Sequence, residues 1–156
     1  MENFIIENPR VLQQQPFPKF EASPDRAFTF QKDVQWRDLD SLEHVNNAIY
    51  ASFVEDASTQ AFAEAGWSPS KFKSKDLAVV NQRAHIKYQA PAVWGDRLNV
   101  SMYLAELKTT GGTWHIDISR ESDGETIIQC VLEWGLQNRI NGKKQNLPES
   151  LLQALK

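Results

Sequence analysis

The run Val34-Gln35-Trp36-Arg37-Asp38-Leu39-Asp40-Ser41-Leu42-Glu43-His44-Val45-Asn46-Asn47-Ala48-Ile49-Tyr50 joins two kinds of periodicity. Leading into it, Phe28, Phe30, Val34 and Trp36 are apolar while Thr29, Gln31, Asp33 and Gln35 are polar. That period-two alternation over residues 27–36 predicts a strand with one covered face. Leading out of it, Ile49, Tyr50, Phe53, Val54, Ala57, Ala61, Phe62 and Ala65 recur at three- and four-residue steps, with no proline inside and Gly66 as a stop. Residues 46–66 therefore predict one helix of roughly 30 Å at 1.5 Å per residue. Carboxylates, an imidazole and two amides thus stand at the mouth of a helix. Its first N–H groups are unpaired there, and its dipole favours negative charge.

Four more alternating rows follow: Ala78 to Tyr88, Leu98 to Leu104, Trp114 to Ile118 and Ile128 to Leu136. Thr109-Thr110-Gly111-Gly112 and Ser122-Asp123-Gly124 read as hairpin turns, and Pro91 with Gly95 and Asp96 as a bend. Strands two to five thus predict an antiparallel meander. Residues 68–76 read as a polar connection and residues 148–155 as a short last helix opened by Pro148. One apolar helix and five strands with one apolar face predict an α+β domain over residues 27–156, the helix lying across a five-stranded antiparallel sheet. Residues 1–26, with four prolines and a Gln13-Gln14-Gln15 run, predict an extended lead-in.

The bulk properties narrow the function. A length of 156 residues suits one core, and a net charge of −3 with scattered Lys and Arg argues against a nucleic-acid surface. The one cysteine, Cys130, excludes an internal disulfide and suits a reducing, cytoplasmic setting. It falls in an apolar row and reads as a small core hydrophobe. No apolar run is long enough to cross a bilayer, and residues 1–26 do not read as a secretory signal.

The string from Trp36 to Tyr50, then Glu55-Asp56-Ala57, resembles the hotdog-fold thioesterases of the 4-hydroxybenzoyl-CoA thioesterase type and is similar to the acyl-ACP thioesterases of plants. Tyr88-Gln89-Ala90-Pro91-Ala92 with Gly95-Asp96 looks like a second landmark of that family. The likeness covers about residues 27–155. It implies a long central helix wrapped by the sheet, an acyl-CoA or acyl carrier protein thioester as substrate, no cofactor, and a homodimer or homotetramer with the active site between subunits. It also implies that Asp40 is the catalytic carboxylate and that His44 takes part. The chain departs from the pattern at Leu42, where the plant enzymes have asparagine, and at Glu43, where many relatives have glycine.

Each site residue carries a chemical and a structural reading. Asp40 can activate water or attack the thioester carbonyl, or it can cap the helix. His44 can hydrogen-bond Asp40 or the leaving thiolate, or shape the loop. Glu43 is a spare general base, and Asp38 is solvated or structural. Asn46 and Asn47 cap the helix and bring first-turn N–H groups to an oxyanion. Tyr50, Phe53 and Phe62 are core residues, some lining an acyl tunnel. Gly111, Gly112 and Thr113 form a turn whose backbone, with Lys108, can meet a pantetheine or phosphate. Arg83, Lys87 and Arg120 can face a carrier phosphate. His85 and His115 belong to the sheet surface or an interface. No zinc-type spacing appears, and no metal is expected.

Overall fold

The computed structural model describes residues 17–18 and 27–156. The reading of residues 1–26 as a lead-in lies outside these, apart from Phe17 and Pro18, which are half-buried. The elements run β1 (Ala27–Asp33), α1 (Asn47–Glu64), α2 (Pro69–Ser74), β2 (Leu77–Tyr88), β3 (Arg97–Lys108), β4 (Gly111–Arg120), β5 (Thr126–Asn138) and α3 (Glu149–Leu155). The strands form one antiparallel sheet in the order β1-β3-β4-β5-β2.

The apolar rows of β3, β4 and β5 are buried as their alternation requires: Leu98, Val100 and Met102; Trp114, Ile116 and Ile118; Ile128, Cys130, Leu132, Trp134 and Leu136. The helix lays its stripe on this face. Phe62 stands edge-on to Trp134 at 5.0 Å and to Trp114 at 5.8 Å. Edge-to-face pairs of this kind add about 1 kcal/mol each beyond the area they bury. Both ends of the sheet reach the same helix. Lys32 of β1 sits 5.2 Å over the Phe53 ring, and Tyr88 at the end of β2 lies 5.9 Å from Tyr50. The sheet therefore curls round α1.

Four expectations need correction. Strands two to five are not one meander: β3, β4 and β5 are, but β2 crosses to the far side of β5. The join over residues 89–96 is longer than a hairpin turn and carries the chain from the β2 edge of the curled sheet across to β3, next to the opposite edge. β2 also lacks a clean apolar row. Gln82 is an extra residue in a bulge between Asn81 and Arg83, and Val80, Ala84 and Tyr88 are exposed on this edge strand. Residues 68–76 hold α2, too short to show a period. Ser68 Oγ accepts from the Lys71 N–H at 3.2 Å, Pro69 opens the turn, and Phe72 is buried against Phe62. Finally, β1 stops at Asp33, a 3-10 turn follows at Trp36–Asp38, and Trp36 stands in solvent edge-on to Trp94 at 5.4 Å.

The segment before α1 is a tight hairpin. Leu39 pairs with Val45, the Asp40 N–H donates to the His44 carbonyl at 2.9 Å, and the Glu43 N–H donates to the Asp40 carbonyl at 3.0 Å. Closing so short a loop needs a left-handed residue, and it is Glu43, at φ 60°. A side chain there costs about 1–2 kcal/mol relative to the ordinary right-handed conformation. Glycine removes that cost but adds freedom to the unfolded chain. Glu43→Gly is expected to raise stability by roughly 0.5–1 kcal/mol, read as a higher urea midpoint at unchanged slope. An unchanged or lower midpoint would mean that Glu43 makes compensating contacts.

Candidate functional site

A cleft of about 450 Å³ opens at the N-terminus of α1. Asp40, Leu42 and His44 line it from the hairpin, Asn46, Asn47 and Tyr50 from the helix start, and Tyr88 to Pro91 from the end of β2 and the join beyond it. Of the contiguous site residues expected from sequence, Asp40, His44, Asn46, Asn47 and Tyr50 are thus gathered in one place. Asp40 is half-buried, and its Oδ1 accepts from the Leu42 N–H at 2.9 Å. That contact fixes the plane of the carboxylate. Its Oδ2 has no protein partner among the described residues.

Asp40 does not cap the helix. The cap is Asn46, whose Oδ1 accepts from the Ala48 N–H at 2.9 Å while its carbonyl accepts from Ile49 at 2.8 Å. Two of the first donors of α1 are thereby occupied. The N–H of Asn47, the first helical residue, has no protein partner among the described residues and borders the cleft. Tyr88 donates its hydroxyl to the Asn47 carbonyl at 3.3 Å, tying the end of β2 to the helix start. Burial pushes the Tyr50 phenol up to about 12, against a lowering hydrogen bond from the Ala92 backbone. Tyr50 therefore stays neutral and acts as a buried wall of the cleft.

The other expected residues do not line this cleft. Glu43 is exposed on the same hairpin and borders two adjoining depressions, one with Asp40 and Trp36 and one with His44, Trp36 and Trp94. Asp38 is structural: only 7% exposed, it accepts from the Gln35 N–H at 2.8 Å. Arg83 pairs with Glu133 at 3.5 Å, and Lys108 with Glu106 at 3.9 Å. Gly111, Gly112 and Thr113 are not a turn but the buried start of β4; the turn is Thr109-Thr110. A Cβ on Gly111 would collide with the Trp134 carbonyl, which explains the glycine by packing. This end of β4 is roughly 30 Å from Arg120 at its other end. His115 is buried, not on the sheet surface. Arg120 is engaged by three carboxylates and is not open to a phosphate.

Burial raises the Cys130 thiol to about 12, which leaves it inert. Among the described residues no cluster of His, Cys, Asp and Glu is placed to hold a metal, and no helix is long and apolar enough to cross a membrane. A second cleft, of about 310 Å³, lies farther along α1 between the helix, α2 and the start of β2. Phe62, Trp67, Phe72 and Leu77 form its apolar walls, and Glu55, exposed on the helix, stands at its rim. Nothing in the sequence marks this cleft, because its lining comes from three separate elements.

The fold agrees with that of known proteins. The chain is 28% identical over 102 residues, 65% of its length and 76% of the relative's, to the long-chain acyl-CoA thioesterase FadM of Escherichia coli (strain K12). A 1,4-dihydroxy-2-naphthoyl-CoA thioesterase from Synechocystis superposes with a TM-score of 0.77 at 21% identity, covering 83% of this chain and 96% of that one. The Staphylococcus aureus protein SAV2348, solved in complex with CoA, superposes at 0.78 with 18% identity, covering 86% and 84%. The probable thioesterase YbaW of Escherichia coli gives 0.68 at 26% identity, covering 81% and 95%. Residues 34–155 match the family described as the thioesterase-like superfamily. With the helix-in-sheet architecture around α1, that match makes the chain a hotdog-fold thioester hydrolase of the thioesterase-like superfamily.

Proposed function

We propose that the protein hydrolyses acyl-CoA thioesters to a free carboxylic acid and CoA, with the chemistry in the cleft at the start of α1. The observation that carries this reading is the pairing of Asp40 with Asn47. A half-buried carboxylate with one oxygen held and one free shares a cleft with an open helix N-terminal N–H. A binding protein would have no use for the carboxylate. The FadM likeness supports a CoA thioester; an acyl carrier protein thioester is the alternative substrate to assay beside it.

In this reading Asp40 takes a proton from water as the oxygen adds to the thioester carbonyl. Alternatively, Asp40 adds to the carbonyl itself, giving an anhydride that water then opens. Either way the carbonyl oxygen becomes an anion, and the Asn47 N–H at the positive end of the helix holds it. The carbon–sulfur bond then breaks, and the thiolate leaves toward His44, which can return a proton. Arg83, Lys108 and the segment from Gly111 to Thr113 lie away from this cleft in one protomer. The reading therefore has them meet the carrier, if at all, across a homodimer. The exposed edge of β2 is the natural seam, because its outward N–H and C=O groups have no strand beside them.

The second cleft takes the far end of the acyl chain. Tyr50 to Phe62 spans about 18 Å along α1, enough for a long tail to run from the thioester to the walls formed by Trp67 and Phe72.

Asp40→Asn keeps the turn but removes the base, and thiol release is expected to fall by at least about a hundredfold. Retention of activity would move the chemistry elsewhere. Asn47→Pro removes only the open N–H at a position where proline suits a helix, after a residue already at φ −60°, ψ 134°. It is expected to lose about 10²–10³ in kcat while Asn47→Ala stays near wild type. Equal rates for both variants would dismiss the backbone donor. Thr59→Trp, on the exposed rim of the second cleft, is expected to cut palmitoyl-CoA turnover at least tenfold and to spare butyryl-CoA; a uniform loss would refute the tail assignment.

A further inference from the structure

The cleft is built on a loop that has no chemistry of its own. Residues 91–96 carry the chain from β2 to β3, and the site hangs from them. The Ala92 carbonyl accepts from the Val45 N–H at 2.9 Å, Val93 bridges to His44, and the Asp96 carbonyl accepts from the Val34 N–H at 2.9 Å. The Ala92 backbone also hydrogen-bonds the Tyr50 phenol, and Ala90 and Pro91 wall the cleft. The loop is folded by a turn in which the Asp96 N–H donates to the Val93 carbonyl at 3.1 Å, with Gly95 at φ +93°. Asp96 Oδ2 closes it by accepting from the Val93 N–H at 3.0 Å.

One side chain from another part of the sheet grips both ends of this loop. Arg120, the last residue of β4, donates through Nη2 to the Pro91 carbonyl at 2.6 Å and through Nε to Asp96 Oδ2 at 3.1 Å. Its Nη1 meets Asp123 at 2.8 Å and Glu125 at 3.0 Å in the β4–β5 turn. The side chains of Arg120 and Asp96 are each only 15% exposed, so this is not a solvent-screened surface pair. The planar fork of an arginine can hold a carbonyl and a carboxylate on separate nitrogens at fixed angles, which a lysine cannot. Without it, three carboxylates would face one another and the loop would lose both anchors.

We propose that Arg120 is a positioning residue of the thioesterase: by clamping Pro91 and Asp96 it sets the height of the 91–96 loop, and through Val45 and His44 it sets the hairpin bearing Asp40 against the start of α1. This rests on the reading that places the chemistry at Asp40. Misplacement of a catalytic group by about 1 Å costs on the order of a hundredfold in rate, whereas carrier and acyl contacts elsewhere are untouched. The loss should therefore appear in kcat and not in KM.

The test uses the full chain with Arg120→Met, Arg120→Lys, Asp96→Asn and, as outer-arm controls, Asp123→Asn and Glu125→Gln. Acyl-CoA kinetics are measured beside amide hydrogen exchange. Expected are a tenfold to hundredfold fall in kcat at near-constant KM for Arg120→Met, a smaller fall for Arg120→Lys, and wild-type kinetics for both controls. The Val45 and Val93 amides should exchange faster in Arg120→Met while the β3–β4–β5 ladder keeps its protection. If Arg120→Met does not fold, Arg120→Lys and Asp96→Asn carry the same comparison. Unchanged kcat, unchanged protection at Val45 and Val93, or equal losses in the outer-arm controls would each overturn the proposal. Asp40→Asn in the same series separates the two readings: if it stays active, the catalytic assignment fails, and exchange at Val45 and Val93 still decides whether the clamp holds the hairpin.

Discussion

Everything in this molecule depends on where one apolar helix can be buried. The stripe of α1 is satisfied only if the sheet bends round it, and Phe62 wedged edge-on between Trp114 and Trp134 marks the line of contact. Once the sheet curls, its two edge strands stand on opposite sides of the helix, and β2 must return to β3 around the open end. That return is the 91–96 loop. It therefore arrives beside the N-terminus of α1, where unpaired N–H groups and the helix dipole already favour an anion. The place of the chemistry follows from the burial of the helix.

The hairpin before α1 then solves a local problem. A reactive carboxylate has to be oriented without losing both its oxygens to the protein. Asp40 is held through one oxygen by its own turn, while the helix is capped by a different residue, Asn46. The division is possible because the turn closes at Glu43 in the left-handed region, which leaves His44 free to pair with Val93 on the hairpin's other side.

Much of this was legible in the chain because it is local. Asp40, His44, Asn46, Asn47 and Tyr50 lie within eleven consecutive positions, so a hairpin and one helical turn are enough to gather them. The buried alternation of β3 to β5 was equally plain, since both sequence neighbours in that meander are also spatial neighbours. Period and turn chemistry could not supply the non-local facts. Nothing in residues 77–88 says that the strand pairs with β5, and a single bulge at Gln82 spoils its row. Gly111 and Gly112 resemble a turn in the sequence because glycine in a strand is rare; the Trp134 main chain pressed against Gly111, and the Glu106 carbonyl and Trp134 indole against Gly112, give the reason. Arg120 reads in the sequence as a cation for a carrier phosphate; its four partners, drawn from the 91–96 loop and the β4–β5 turn, meet only in the folded chain.

The exposed indole pair beside the hairpin has an optical consequence. Of the five tryptophans, Trp67, Trp114 and Trp134 are almost wholly buried, while Trp36 and Trp94 are each 63% exposed and touch each other across the two segments that frame the site. A soluble quencher reaches the outer pair and not the inner three. One chain thus carries two separable emission signals without any label: the inner trio follows the core, and the outer pair follows the distance between the hairpin and the loop that supports it.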